Sequence, residues 1–103
     1  MTVLTKENFK AEVEEYKGLV VIDLFAVWCG PCKMIAPIVE ALSEEYTDVK
    51  FCKINVDDEP ELARAFKVTS IPTIAFVKDN TFLDMSVGYV PKEKLSALIE
   101  EYK

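Results

Sequence analysis

The sequence predicts a three-layer α/β/α domain, with helices covering both faces of a central mixed sheet. Three observations carry this. Leu19 to Val27 is an apolar, β-branched run with no polar face, as expected of a central strand covered on both sides. From Pro31 onward, apolar residues recur every three or four positions, so strand gives way to helix within a few residues. Further on, two strand-like runs flank a short polar turn, the pattern of a hairpin.

The elements follow in order. Between Asn8 and Tyr16, the residues Phe9, Val13 and Tyr16 stand among Lys and Glu at helical spacing, which predicts a first helix with one buried stripe. The strand Leu19 to Val27 comes next, and Asp23 is its one charged residue. In the helix after it, Ile35, Ile38, Val39, Leu42 and Tyr46 share a side, with Glu40, Glu44 and Glu45 opposite. Pro37 falls inside that helix, lacks an amide hydrogen and crowds the carbonyl one turn back, so a bend is expected there and not an end.

Val49 to Val56 reads as a second buried strand. Asp58 with Glu61 three positions later then resembles a capping box, starting a short helix to Phe66. Ile74 to Val77 and Phe82 to Val87 form the antiparallel hairpin, with Lys78-Asp79-Asn80-Thr81 as its tight turn. Gly88 separates the hairpin from a final helix that Pro91 opens and that carries Leu95, Leu98, Ile99 and Tyr102 on one face. Strands joined by helical crossovers should be parallel and the hairpin antiparallel, hence a mixed sheet.

Half of the 103 residues are apolar and 29% are charged, so the chain can fold around its own core without disulfide staples or a structural metal. That length is expected to form one domain, residues 1–103. A net charge of −6, with no basic cluster interleaved with aromatics, argues against nucleic acid as a partner. Met1 to Glu7 turns polar too early for a secretory signal. The longest apolar stretch, Leu19 to Cys29, is interrupted by Asp23 and falls well short of the roughly 20 residues of a membrane-spanning helix. Three cysteines and no histidine cannot make the usual four-ligand zinc site, and an odd count is a poor framework for a small secreted protein. A reducing compartment, the cytoplasm, fits better.

The chemistry is concentrated in Trp28-Cys29-Gly30-Pro31-Cys32-Lys33. This segment falls where a strand ends and a helix begins, so Cys29 lies beside the first, unpaired amide hydrogens of the helix, which stabilise a thiolate. Thiol–disulfide exchange needs one thiolate to attack and a second thiol to resolve the mixed disulfide, and a two-residue spacer lets the pair close. Cys29 is expected to attack and Cys32 to resolve. Gly30 permits a tight backbone path, and Pro31 pre-sets the first helical turn without forfeiting an amide hydrogen. The competing structural reading, two core cysteines or half of a zinc site, lacks a second Cys pair or any His to complete it.

Asp23 precedes Cys29 by six residues in a strand expected to be buried, where loss of hydration raises a carboxyl pKa. Such a group can accept the Cys32 proton during resolution, directly or through a water, with Lys53 on the neighbouring strand modulating its charge. The structural alternative is a hydrogen-bonded core carboxylate paired with Lys53.

Together with Asp23 and Ile71-Pro72-Thr73, the hexapeptide resembles the active site of the thioredoxin family, and the order of elements is similar to that fold over nearly the whole chain. The resemblance implies a five-stranded mixed sheet with four helices. It also implies that Cys29 and Cys32 form a redox-active disulfide, with Asp23 as the buried acid behind them and Lys53 as its companion. Pro72 is implied to be a cis-proline facing the cysteines, so that a substrate strand pairs with the Ile71 backbone while Trp28, Ile71, Pro72 and Gly88 frame the docking surface. The activity implied is that of a protein disulfide reductase, a monomeric electron carrier with no bound cofactor or metal. It would act on disulfide-containing protein substrates and be recycled by a thioredoxin reductase. Two positions depart from the usual pattern. Phe25 stands where many members have a second tryptophan, and Val27 where many have a polar or charged residue, adding apolar surface beside the nucleophile.

Cys52 matches no catalytic position of the family and reads as a small buried hydrophobe. The acidic run Asp57-Asp58-Glu59 reads as helix capping. Trp28 and Ile71 also admit a plainer reading, as loop-edge packing. Two other functions compete: a disulfide oxidase or isomerase, which Gly30-Pro31 and the bare N-terminus argue against, and a binding module in which the cysteines are incidental.

Overall fold

Strand β2 (Leu19–Phe25) is the middle of the sheet, and Leu19 through Leu24 are all buried, as a run with no polar face requires. A computed structural model describes residues 1–103 and places β3 (Lys50–Asn55) parallel to β2 on one side. On the other side β4 (Thr73–Lys78) runs antiparallel to β2. A two-residue strand, β1 (Thr2–Val3), extends the sheet parallel to β3, and β5 (Thr81–Val87) closes the far edge antiparallel to β4. The order is therefore β1-β3-β2-β4-β5, a mixed five-stranded sheet. The pattern of the sequence shows only four of these strands, because two residues carry no periodicity.

Side chains alternate along β2 and divide the core in two. Leu19 and Val21 pack with Ile35, Val39 and Leu42 of α1 (Gly30–Glu45) and with Leu95 and Ile99 of α3 (Lys92–Tyr102). Val20, Ile22 and Leu24 pack on the opposite face with Cys52, Ile54 and Val13, under Phe9, Tyr16 and Leu62. Four helices thus cover the two faces: α1 and α3 on one, a π-helix at Lys10–Glu14 and α2 (Pro60–Ala65) on the other.

Several expectations need correction. The first helix is a π-helix of five residues, Lys10–Glu14, with the Glu15 amide donating to the Lys10 carbonyl at 2.9 Å. The residues before it are a turn in which Thr5 and Asn8 exchange side-chain bonds, the Thr5 amide to Asn8 Oδ1 at 2.7 Å and the Asn8 amide to Thr5 Oγ1 at 3.3 Å. A stripe at Phe9, Val13 and Tyr16 reports which side is buried, not the hydrogen-bond spacing. The Asp58–Glu61 capping box does not form. Pro60 opens α2, and the residue before a proline is disfavoured from helical angles, so the helix starts after Glu59 and leaves Asp58 outside it. Likewise α3 begins at Lys92, with Pro91 as its extended N-cap. Helix α1 does not end at Pro37 but runs on to Glu45. The hairpin turns at Asp79 and Asn80, both with positive φ (50° and 63°), the geometry of the tight turn that Asp and Asn tolerate best among side-chain-bearing residues.

Candidate active site

The cysteine pair lies at the junction of β2 and α1. Cys29 is the N-cap of α1 in extended conformation (φ −87°, ψ 115°), and its Sγ accepts the Cys32 amide at 3.2 Å. This is the place where a helix presents unpaired amide hydrogens and its positive end, both favouring negative charge on sulfur. Cys29 and Cys32 are joined as a disulfide, with Cα atoms 5.2 Å apart. Exposure does not tell the two sulfurs apart, since the residues are 4% and 3% exposed. Their surroundings do: Cys29 Sγ is the helix-capping atom, whereas Cys32 lines a cavity with Asp23.

Pro31 occupies the first turn of α1, as expected, but Gly30 does not need a glycine's backbone. It is an ordinary first helical residue, and a Cβ there would meet nothing within 4 Å. Space and backbone angles at position 30 would both admit a side chain.

Behind the pair, Asp23 sits on β2 in register with Lys53 of β3 and Ile74 of β4. It is 5% exposed, and its Oδ1 has no hydrogen-bond partner. Burial pushes its pKa up to about 6, and the charge of Lys53 draws it partly back. No ion pair within 4.0 Å joins the two, so the alternative of a carboxylate paired with Lys53 does not hold. Lys53 instead places its Nζ 5.9 Å from the centre of the Phe25 ring.

On the opposite side of Cys29, the Ile71 carbonyl lies 3.9 Å from Sγ, and the Ile71–Pro72 bond is cis. The Pro72 carbonyl accepts the Gly88 amide at 2.7 Å, which brings the end of β5 beside this loop. Gly88 has a φ of +85°, so its backbone, not lack of space, calls for glycine. Thr73 Oγ1 donates to the Ser70 carbonyl at 2.6 Å and ties the loop from within. Trp28 projects beside the cysteines, 68% exposed.

Asp57 reaches this surface from a loop that the sequence pattern does not connect with it. Its Oδ2 accepts the Trp28 indole N–H at 2.8 Å, and Asn55 Oδ1 orders the loop by accepting the Asp57 amide at 3.0 Å. The acidic run was the available signal, but it reads as helix capping until the fold brings residue 57 to residue 28. Cys52, by contrast, lies where expected, fully buried in β3, and burial raises its thiol pKa to about 11.

A thioredoxin family model matches residues 1–101. The chain belongs to the thioredoxin family. The thioredoxin of Bacillus subtilis is 46% identical over 99 residues, covering 95% of this chain and 93% of that protein. The thioredoxin of Chlamydia trachomatis is 42% identical over 101 residues, covering 98% and 97%. A solved structure of Plasmodium falciparum thioredoxin matches with a TM-score of 0.91 at 36% identity over the whole of both chains. Thioredoxins are protein-disulfide oxidoreductases, and the chain carries the disulfide that this activity requires. No group of three or more His, Cys, Asp or Glu side chains converges to hold a metal, and no helix is long and apolar enough to cross a membrane.

Proposed function

We propose that the chain is a general reductase of protein disulfides in which Cys29 attacks, Cys32 resolves and Asp23 handles the proton. The observation that carries this reading is the asymmetry around the pair: a helix-end amide on Cys29 Sγ and an unpartnered buried carboxyl oxygen in the cavity that Cys32 lines.

The reduced protein begins as a dithiol. The Cys29 thiolate attacks one sulfur of a substrate disulfide, whose S–S bond breaks; one substrate thiolate leaves and takes a proton from water. Cys32 then gives its proton to the Asp23 carboxylate, and its thiolate attacks Cys29 Sγ, expelling the second substrate thiolate. Asp23 passes its proton on. The substrate gains two electrons and two protons, and the protein is left with the Cys29–Cys32 disulfide. A carboxyl that titrates near pH 6 is a base at neutral pH and still close enough to the thiol range to share its proton.

Docking uses the Ile71 backbone as a short pairing edge, with Trp28, Pro72 and Gly88 around it. Lys53 acts on the charge of Asp23, and Gly30 with Pro31 form the open, pre-set spacer. The 103 residues work as a single domain and as a monomer in the cytoplasm, without a bound cofactor, and a thioredoxin reductase restores the dithiol. The free, buried Cys52 is consistent with a reducing compartment.

Reduction of insulin disulfides, driven by a thioredoxin reductase and its electron donor, tests this directly. Turnover by the wild type and its loss in Cys29→Ser are expected. Inactivity of the wild type with several reductases and with dithiothreitol would instead favour a binding module.

A further inference from the structure

Beside the disulfide lies a cavity of about 300 Å3, at the small end of the range for sites that hold a ligand. Phe25, Ala26, Val27 and Ala36 give it an apolar wall. Cys32 forms another part of the wall, so the space adjoins the redox bond itself. Asp23 borders it with an unpartnered Oδ1, and Lys33 and Lys53 complete the lining. Proton transfer from Cys32 needs from this space no more than the path of one water. The apolar wall keeps Asp23 out of water, but a space of about 300 Å3 is larger than one water fills.

We propose that the cavity is a substrate subsite, taking one uncharged apolar side chain from a residue next to the attacked cysteine of the substrate. This rests on Cys29 as the attacking thiol. Charge selects the occupant: Lys33 and Lys53 repel a cationic side chain, the Asp23 carboxylate repels an anionic one, and a neutral apolar group is opposed by neither. Position supplies the reach. Val27 is 65% exposed at the mouth, one residue from Trp28, and the Cα of Cys32 lies 5.2 Å from that of Cys29. A substrate cysteine held on Cys29 therefore carries its neighbours to the opening.

The test measures how fast the reduced protein reduces short peptides, each joined by a disulfide to an identical copy. The residue on either side of the cysteine is varied among Ala, Leu, Glu and Lys. At one of the two positions Leu is expected to raise kcat/KM about tenfold over Ala, with Glu and Lys no better than Ala. In Ala36→Leu, which fills the cavity from an exposed helical position, the Leu-to-Ala ratio should fall to within about twofold. Val27→Ser, which makes the mouth polar without filling it, should lower the ratio as well and carries the test if the first variant does not fold. Equal rates for Leu and Ala peptides, or a preference undiminished in both variants, would overturn the subsite while leaving the reductase reading intact. Preference for Glu would assign the space to an anion on the lysines and overturn the apolar occupant. No exchange with any peptide, or exchange surviving in Cys29→Ser, would overturn the parent reading and the subsite with it.

Discussion

On the face of the sheet covered by the π-helix and α2, Val20, Ile22, Leu24, Cys52 and Ile54 close an apolar layer in which no buried side-chain polar atom lacks a partner. On the face covered by α1 and α3, the same strand runs from Leu19 and Val21 to Asp23, a cavity and the cysteine pair. Cys52 and Lys53 are adjacent in β3, yet the first is sealed in one layer and the second borders the redox site of the other. A thiol's chemistry is thus set by its place. At the start of a helix, beside amide hydrogens, it is poised to ionise; within a strand, among aliphatic side chains, the charged form is penalised and the thiol is inert.

The sharpest way to break this contrast is to remove one cysteine from each face. Cys29→Ser should cut insulin reduction at least about a thousandfold, as expected when a nucleophile is lost. Cys52→Ala should leave turnover within about twofold and cost about 1 kcal/mol in a denaturant titration, for a small void in an apolar layer. Reactivity separates the faces next. With the reduced protein near pH 7.5, mass spectrometry after iodoacetamide should find Cys29 alkylated at least about a hundredfold faster than Cys52, whose pKa is raised to about 11.

Asp23 gives a smaller effect with two opposite signs. Asp23→Asn should slow turnover about tenfold to a hundredfold near pH 7, from loss of a proton acceptor. The same change should raise stability. The native pKa of about 6 lies above the unchanged value of 3.8, so the folded state holds the proton more tightly than the unfolded chain. Stability contributed by this group is present below pH 3.8 and is lost as pH rises through about 6, by about 3 kcal/mol at most. Urea titrations from pH 4 to pH 8 should show that decline in the wild type. In Asp23→Asn it should be flattened, with a gain of about 2 kcal/mol at pH 8. Lys53, the nearby charge facing Asp23, opposes the shift, so Lys53→Met should enlarge the decline.

The smallest expected effect concerns the surface beside the site. Asp57→Ala removes the acceptor of the Trp28 indole and should raise KM for insulin about twofold to fivefold, with kcat little changed. Trp28 is the one tryptophan of the chain, so its emission reports the same change directly.

Much of this site was legible in the sequence because its signals are local. The spacing of Cys29 and Cys32 at a strand-to-helix boundary, and a lone carboxylate in an apolar strand, are patterns within ten residues. Glycine 88 and the Asp79-Asn80 turn are legible for the same reason, since backbone angles act on single residues. What escaped was nonlocal. Asp57 meets Trp28 across 29 positions, and the Ile71 carbonyl meets Cys29 across 42. The family resemblance anticipated the second of these contacts and not the first. The capping box failed for a local reason: Pro60 fixes where α2 starts.

The sequence by itself determined the alternation of apolar strands and amphipathic helices, the mixed character of the sheet and the identity of the reactive pair, because periodicity and spacing encode which faces are buried. Only the tertiary structure decided that the Asp23 side chain lacks both a hydrogen bond and an ion pair, that Gly30 stands in open space, and that apolar residues from β2, its following loop and α1 line a cavity against Cys32. Those are facts of packing in three dimensions. They depend on which neighbours the sheet register and the helix placement bring together, and no single stretch of the chain contains them.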